Sequence, residues 1–267
     1  MKLNKIHNED CRETMKRMPD NFIDLTVTSP PYDNLRTYND NIDKTWNDAI
    51  WKPIIKELFR ITKIGGVVVW IVGDATINRS ETGTSFRQAL YFMKCGFNLH
   101  DTMIWTKHTF PKNNNRYEQH FEYMFVFSKD KLKTFNPIKE LKIYTDNRKT
   151  KKYGRNKDGN FHVGRVVNKI KKIKGNVWHF PVGGGHVTKD DIATKHPAIF
   201  PEQLVSDHIY SWSNEGDLIY DPFMGSGTTA KMAHLQKRNW IGSEISKEYV
   251  DLAYKRIEPY LMQKRLF

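Results

Sequence analysis

Residues 218–244 read LIYDPFMGSGTTAKMAHLQKRNWIGSE and contain the pattern that decides the fold. An apolar stretch comes first, Gly225 and Gly227 follow it, and a stretch with helical spacing comes next. With Ala230, this spacing fits a strand–turn–helix unit in which glycine lets the backbone turn tightly and approach a ligand. Glu244 ends the next apolar stretch, where an acid can accept hydrogen bonds from ribose hydroxyls. The unit therefore predicts a site for an adenosine-containing cofactor.

Two other nucleotide-binding interpretations explain less of the chain. Because no lysine follows Gly227, the turn is not a triphosphate-binding P-loop. A nicotinamide-dependent dehydrogenase would fit the glycines. It would explain neither the lysine- and arginine-rich residues 129–194 nor the Ser-Pro-Pro-Tyr sequence at residues 29–32.

Outside this unit, short apolar stretches alternate with stretches of helical spacing, which predicts an α/β fold with a mostly parallel sheet. Gly65 and Gly66 are expected to end the second helix. Strands are predicted at residues 22–28, 67–72, 102–106, 122–128, 218–220 and 240–244. Helices are predicted at residues 10–18, 50–61, 86–94 and 228–235, with two more that begin at Pro201 and after Ser246.

The second informative motif is Ser29-Pro30-Pro31-Tyr32, which follows a predicted strand and so belongs at the carboxyl edge of the sheet. Two prolines have restricted φ and no N–H, so they hold their neighbours rigidly and leave carbonyl groups free. The corner offers the Ser29 hydroxyl and the Pro30 carbonyl as acceptors beside the aromatic face of Tyr32. This arrangement suits alkylation of an aromatic exocyclic amine, because acceptors on its N–H groups favour a tetrahedral nitrogen. A plain strand-ending loop is the structural alternative.

Charge is concentrated in one segment of the 267-residue chain. The net charge is +13, and residues 129–194 contain 17 Lys and Arg against six Asp and Glu. Such a composition favours a polyanionic partner, either nucleic acid or a membrane surface, over an ordinary solvated face. Aromatic residues that could stack on bases are interleaved with the charge: Phe135, Tyr144, Tyr153, Phe161, Trp178 and Phe180.

Other classes of protein are disfavoured by composition. The longest apolar run, residues 67–72, is far shorter than the roughly 20 residues of a membrane helix, and the N-terminus shows no apolar signal core. Cys11 and Cys95 are too few for a disulfide scaffold or a structural zinc site. We therefore expect a cytoplasmic protein with reduced thiols, no membrane partner and no metal.

Together the two motifs resemble those of the S-adenosylmethionine-dependent DNA methyltransferases that methylate amino groups, the N4-cytosine and N6-adenine enzymes. Residues 29–32 match the catalytic S/N/D-P-P-Y/F motif, and residues 221–228 contain the F-x-G-x-G motif. The catalytic motif comes first, as in the permuted β group. The resemblance implies a Rossmann-like fold, mostly parallel with an antiparallel strand pair. It further implies a catalytic part (1–128), an inserted DNA target-recognition region (129–194) and a cofactor-binding part (195–267).

The resemblance also assigns individual residues. The catalytic set is Ser29, Pro30, Pro31 and Tyr32, and the cofactor-binding set is Asp10, Cys11, His196, Asp221, Phe223, Gly225, Ser226, Gly227, Thr228, Glu244 and Ile245. Two alternatives stay open here, namely Asp10 as a simple helix cap and His196 as a surface loop residue. In the loop after the motif, Asn34, Arg36 and Tyr38 either close on the base or phosphate or are plain loop residues.

The implied reaction is direct attack of a base amine on the activated methyl group, with the target base flipped out of double-stranded DNA. A covalent route through a cysteine is disfavoured, because neither cysteine follows a proline. By the family pattern, serine at the first motif position favours cytosine N4, with adenine N6 as the alternative. A homodimer, a cognate restriction endonuclease and a restriction-modification role are expected as well. Rival interpretations are a non-catalytic DNA-binding protein and an RNA or protein amine methyltransferase.

Overall fold

The computed structural model describes residues 1–32, 46–107, 117–141, 152–164, 171–183, 187, 188, 190, 192, 193, 199 and 201–262, with backbone only at 152–154 and 162–164. It divides into two compact units. The larger unit comprises Met1–Asn136 and Asn176–Phe267, and the smaller unit comprises Pro137–Gly175. Both sequence motifs belong to the larger unit.

The described residues contain fourteen strands. They are β1 (Lys5–Asn8), β2 (Ile23–Thr28), β3 (Thr62–Val72), β4 (Thr76–Ile77), β5 (Ser80–Glu81), β6 (Asn98–Thr106), β7 (Phe121–Ser128), β8 (Lys139–Leu141), β9 (Lys152–Arg155), β10 (Phe161–Gly164), β11 (Lys171–Ile173), β12 (Val177–His179), β13 (Leu218–Asp221) and β14 (Asn239–Glu244). The helices are α1 (Cys11–Lys16), α2 (Asp48–Ile61), α3 (Thr84–Lys94), α4 (Glu202–Trp212), α5 (Thr228–Leu235) and α6 (Lys247–Met262).

Eight of these strands form one sheet in the order β1, β14, β13, β2, β3, β7, β6, β12. The first five are mutually parallel, β7 runs antiparallel to both β3 and β6, and β12 is parallel to β6. The predicted α/β fold, with a mostly parallel sheet and an antiparallel strand pair (β6 with β7), is therefore confirmed. Parallel pairing places the carboxyl ends of β1, β14, β13, β2 and β3 next to one another along one edge.

The core forms where helices cover the central strands on both faces. Residues 67–72 of β3 are at most 1% exposed, as expected for a strand buried on both faces. On α3, Phe92 stacks on Phe127 of β7 with ring centroids 4.2 Å apart. Among the described residues, no helix combines the length and apolar character needed to cross a membrane.

The predicted end of the second helix is wrong. Helix α2 ends at Ile61, and Gly65 and Gly66 lie inside β3. The Thr62 hydroxyl donates to the Leu58 carbonyl and closes the helix early. Glycine is required at position 66 for a packing reason, because a Cβ there would lie 2.9 Å from the Asp24 carbonyl oxygen.

The smaller unit consists of two antiparallel strand pairs, β8 with β11 and β9 with β10. Its 39 residues contain 13 Lys and Arg and only three Asp and Glu, so most of the chain's excess charge lies here. It is narrower than the predicted region 129–194. Trp178 and Phe180 were expected to stack on bases, but they are buried in the larger unit. Trp178 belongs to β12, and the Phe180 carbonyl accepts a hydrogen bond from Trp105 Nε1 at 2.9 Å.

Truncation of Phe92 to alanine should destabilise the larger unit by about 3–5 kcal/mol, because it removes a fully buried ring and leaves a cavity. Leu90→Ala on the same helix is the control, since Leu90 is 66% exposed. Its expected effect is within about 0.5 kcal/mol. Urea unfolding followed by circular dichroism measures both, and equal losses would contradict this account of the core.

Candidate active site

The glycine turn joins β13 to α5 at the carboxyl edge of the sheet. Gly225 and Gly227 both have left-handed backbone conformations, with φ of +49° and +82°. Gly227 also lies against α6, where a Cβ would approach Ile257 Cδ1 to 2.9 Å and Ala253 Cβ to 3.0 Å. Only glycine satisfies both the conformation and the close approach, as the sequence pattern predicts.

Glu244, at the end of β14, is oriented by backbone amides of the turn. Its carboxylate accepts the Gly225 N–H at 2.8 Å and the Ser246 N–H at 2.9 Å. Burial raises the pKa of Glu244, while these two amides act in the opposite direction. The next residue, Ile245, leaves 57% of its surface exposed. The fixed Glu244 carboxylate suits the hydroxyl groups of a ribose, and the exposed Ile245 side chain suits packing against an adenine ring.

The N-terminal pair Asp10-Cys11 reaches the same place because β1 adds to the sheet beside β14. Asn8 pairs with Glu244 in the register, and its Nδ2 donates to the Glu244 and Ile245 carbonyl groups at 3.0 and 3.1 Å. Strand β1 was not predicted from the sequence. It is nevertheless what brings the two ends of the chain together.

Within that pair, the polar side chain has a structural role of its own. Asp10 caps α1 by accepting the Arg12 N–H at 2.9 Å, and it pairs with the Arg12 guanidinium at 2.6 Å. Cys11 is buried, and burial raises the pKa of its thiol. The Asp10 side chain therefore caps the helix, as one of the two alternatives expected. Contact between Asp10 and the cofactor stays a prediction.

Asp221 joins the two motifs. Its fully buried carboxylate accepts the Thr28 hydroxyl at 2.6 Å, the Thr229 hydroxyl at 2.7 Å and the Phe223 N–H at 3.0 Å. Burial raises the pKa of Asp221. With no exposed surface, the carboxylate supports the turn from within the protein and does not offer an oxygen to a ligand.

The proline corner follows β2, which pairs with β13 in parallel. Ser29 Oγ donates to the Tyr32 hydroxyl at 3.0 Å, and that hydroxyl donates to Glu122 Oε2 at 2.7 Å. Glu122 forms an ion pair with Lys107. Gly73, directly after β3, lies beside the Tyr32 ring, since a Cβ there would be 3.6 Å from Tyr32 Cε2.

The structure thus brings most of the predicted site residues to one edge. Those at the ends of β1, β14, β13 and β2 are neighbours, as the resemblance implies. His196 and the loop residues Asn34, Arg36 and Tyr38 lie outside the described residues. Glu122 and Lys107 were not predicted, because no spacing relates them to either motif and only the pairing of β7 places Glu122 near the corner.

The glycine turn is held by a buried cluster of ion pairs that was not predicted either. Arg256 donates to the Ser226 carbonyl at 3.1 Å and to the Thr228 hydroxyl at 2.9 Å. It also pairs with Asp190 at 2.9 Å and with Glu202 at 2.6 Å, and the buried Lys231 contacts the same two acids. The charge is balanced inside the cluster, so the side chains of α4, α5 and α6 hold the turn rigidly.

This fold and this edge of the sheet are those of an α/β methyltransferase. The sequence model of the N6/N4 DNA methylase family matches residues 23–255, so the chain belongs to that family.

Among curated relatives, orphan methyltransferase M.BamHII of Bacillus amyloliquefaciens is 53% identical over 254 residues, which cover 91% of this chain and 92% of the relative. Type II methyltransferase M.BglII of Bacillus subtilis is 31% identical and is matched over 95% of this chain and 68% of its own length.

Two solved structures share the fold. The PvuII DNA methyltransferase, described as cytosine-N4-specific, superposes with a TM-score of 0.70 at 19% identity and covers 98% of this chain and 87% of its own. The M1.HpyAVI–SAM complex gives a TM-score of 0.58 at 24% identity, with 94% and 98% coverage. The protein is therefore a DNA amino-methyltransferase that uses S-adenosylmethionine.

The residues at the turn fit this cofactor. Glu244 supplies an acceptor suited to ribose hydroxyls, Ile245 supplies an exposed apolar surface beside it, and Gly225 supplies a backbone without a side chain.

We expect Glu244→Gln to weaken S-adenosylmethionine binding about 10- to 100-fold, which is the loss expected for one hydrogen bond to a charged group. Isothermal titration calorimetry measures the Kd, with the exposed Glu248→Gln as the control; an unchanged Kd would contradict the assignment.

The ion cluster predicts sensitivity to acid. Burial alone would raise the pKa of Asp190, but hydrogen bonds from Lys231, Arg256 and Tyr260 outweigh it and lower the pKa from 3.8 to about 2. A lowered pKa gives stability that is complete above pH 3.8 and is lost as the pH falls through about 2. The contribution of Asp190 is about 2 kcal/mol.

Asp190→Asn should therefore cost about 3–5 kcal/mol at neutral pH, since Arg256 and Lys231 lose a buried partner. Its deficit should shrink by about 2 kcal/mol as the pH falls from about 4 to about 2. Urea unfolding at each pH measures this, with the exposed Asp251→Asn as the control. A deficit independent of pH would contradict the role assigned to the Asp190 charge.

Proposed function

We propose that the enzyme transfers the methyl group of S-adenosylmethionine to the N4 amine of cytosine in DNA. The observation that carries the proposal is Ser29 at the first position of the proline corner, held at the edge of the sheet beside the glycine turn. The fold likeness to a methyltransferase described as cytosine-N4-specific supports it. Adenine N6 is the alternative base within the same family.

The corner can activate an amine that is a poor nucleophile. The nitrogen lone pair of a base amine is delocalised into the ring, and the Ser29 hydroxyl and Pro30 carbonyl can each accept one N–H. Two such bonds favour a tetrahedral nitrogen, whose lone pair is free to attack. The bound cofactor supplies an activated methyl group, so the protein's task is to position the amine and to stabilise charge.

Direct transfer is supported by the state of the cysteines. A covalent route requires a thiolate close to the base. Cys11 is a buried residue at the start of α1, and burial raises the pKa of both the Cys11 and the Cys95 thiols. Neither thiol is suited to attack a base, and the Tyr32 ring offers a stacking surface for a flipped base instead.

We further propose that the basic region, with the smaller unit at its centre, recognises DNA. Thirteen cations in 39 residues can neutralise phosphates. In the hairpin of β9 and β10, Arg155 lies over the Phe161 ring at 4.9 Å, and Phe161 is 68% exposed. An exposed aromatic ring with a guanidinium group suits stacking on a base.

The wider biological setting rests on the relatives. M.BglII is named a Type II methyltransferase, which supports a role in restriction and modification, whereas M.BamHII is named an orphan methyltransferase. A cognate endonuclease, a homodimer and a cytoplasmic location stay predictions.

The test is incubation of unmodified duplex DNA with the enzyme and S-adenosylmethionine, followed by mass analysis of the nucleosides. We expect N4-methylcytosine, and N6-methyladenine would overturn the proposed base. RNA and a protein substrate are included to separate DNA from other amine acceptors, and no transfer to any of them would favour a non-catalytic DNA-binding protein.

Ser29→Ala should lower kcat at least about 100-fold, comparable to the loss of one preorganised hydrogen bond at a reacting centre. Binding of S-adenosylmethionine should be unchanged, because Ser29 lies outside the glycine turn. Ser80→Ala, an exposed serine on β5, is the control. A variant at position 29 that methylates normally would contradict the role of the hydroxyl.

A further inference from the structure

Glu122 and Lys107 lie next to the proline corner but belong to neither motif. Glu122 is the second residue of β7, pairs in register with Trp105 of β6 and is 8% exposed. Lys107 directly follows β6, and its ammonium group pairs with Glu122. This ion pair therefore belongs to the antiparallel part of the sheet, whereas the corner follows a parallel strand.

The contacts form a continuous chain with one direction. Lys107 donates to Glu122, the Tyr32 hydroxyl donates to Glu122 at 2.7 Å, and the Ser29 hydroxyl donates to the Tyr32 oxygen at 3.0 Å. An ionised carboxylate only accepts hydrogen bonds, so the Tyr32 proton points to Glu122. The Tyr32 oxygen is then available as an acceptor for the single proton of Ser29.

This direction decides what Ser29 can offer to a substrate. A serine hydroxyl has one proton and two lone pairs. With its proton committed to Tyr32, Ser29 presents lone pairs, which is what an amine N–H requires. Without Glu122, Tyr32 could donate to Ser29 instead, and the Ser29 proton would be free to point at the amine.

We propose that Glu122, paired with Lys107, is a positioning residue that orients the Tyr32 and Ser29 hydroxyls so that Ser29 accepts a hydrogen bond from the target amine. The proposal rests on amine methylation as the function but holds for cytosine or adenine. Hydrogen bonds in such a chain polarise one another, so the terminal acceptor gains strength from the carboxylate. The same carboxylate fixes the Tyr32 ring, with Gly73 on one side of it.

The test is a double-mutant cycle with Glu122→Gln and Tyr32→Phe, assayed on unmodified duplex DNA with S-adenosylmethionine. We expect Glu122→Gln to lower kcat about 10- to 100-fold, because Gln can donate to Tyr32 and reverse the chain. The KM for DNA and the Kd for S-adenosylmethionine should change less than about twofold. In the Tyr32→Phe background, Glu122→Gln should have no further effect, since the chain is already broken.

Additive effects of the two substitutions, or a loss confined to KM or to cofactor binding, would overturn the proposal. Glu57→Gln is the matched control, because it removes a partly buried ion pair with Arg60 on α2, away from the corner, and should leave kcat unchanged. Thermal unfolding of every variant shows whether it is folded at the assay temperature.

If Glu122→Gln does not fold, Lys107→Gln tests the same chain without altering Glu122. Lys107→Gln should lower kcat less than Glu122→Gln does, and it should have no further effect on kcat in the Tyr32→Phe background. A further loss of kcat in that background would overturn the proposal. The modified base is identified separately for the wild-type enzyme. N6-methyladenine would refute the proposed base alone, whereas the ratios between variants test Glu122 on either base.

Discussion

The buried carboxylate of Asp221 is the constraint on which the site depends. It accepts one hydroxyl from Thr28, at the end of β2, and another from Thr229, at the start of α5. Thr28 and Thr229 are just over 200 positions apart in the chain, yet one side chain links the end of β2 to the start of α5. Methyl transfer needs two reactants held in line, so under the proposed function this short linkage would set the distance between them.

Around that linkage, two sets of charged side chains stabilise the two halves of the site. At the glycine turn, the cluster of Arg256, Lys231, Asp190 and Glu202 holds Ser226 and Thr228 through balanced buried charge. At the proline corner, Glu122, paired with Lys107, accepts the Tyr32 hydroxyl. Both sets use residues that no motif contains, so the rest of the fold holds in place the motif residues that we propose as the reacting surface.

Much of the site could be predicted because its residues are constrained locally. The left-handed turn at Gly225 and Gly227 admits essentially only glycine, and adjacent prolines at 30 and 31 restrict the backbone whatever surrounds them. Charge drew attention to residues 129–194, and the compact smaller unit, Pro137–Gly175, lies within that range. Trp178 and Phe180 lie among charged residues in the chain and yet pack in the core, because β12 pairs with β6. Local composition does not reveal such a pairing.

The sequence by itself determined the alternation of strands and helices, the two motifs and their order, since these depend on spacing and on the backbone preferences of glycine and proline. Tertiary structure alone decided which side chains meet. Three examples join residues that are distant in the chain. Strand β1 pairs with β14, Tyr32 donates to Glu122, and the buried Arg256 donates to Ser226. The physical reason is that strand order and helix packing are set by burial over the whole chain, whereas a motif reports only on its neighbours.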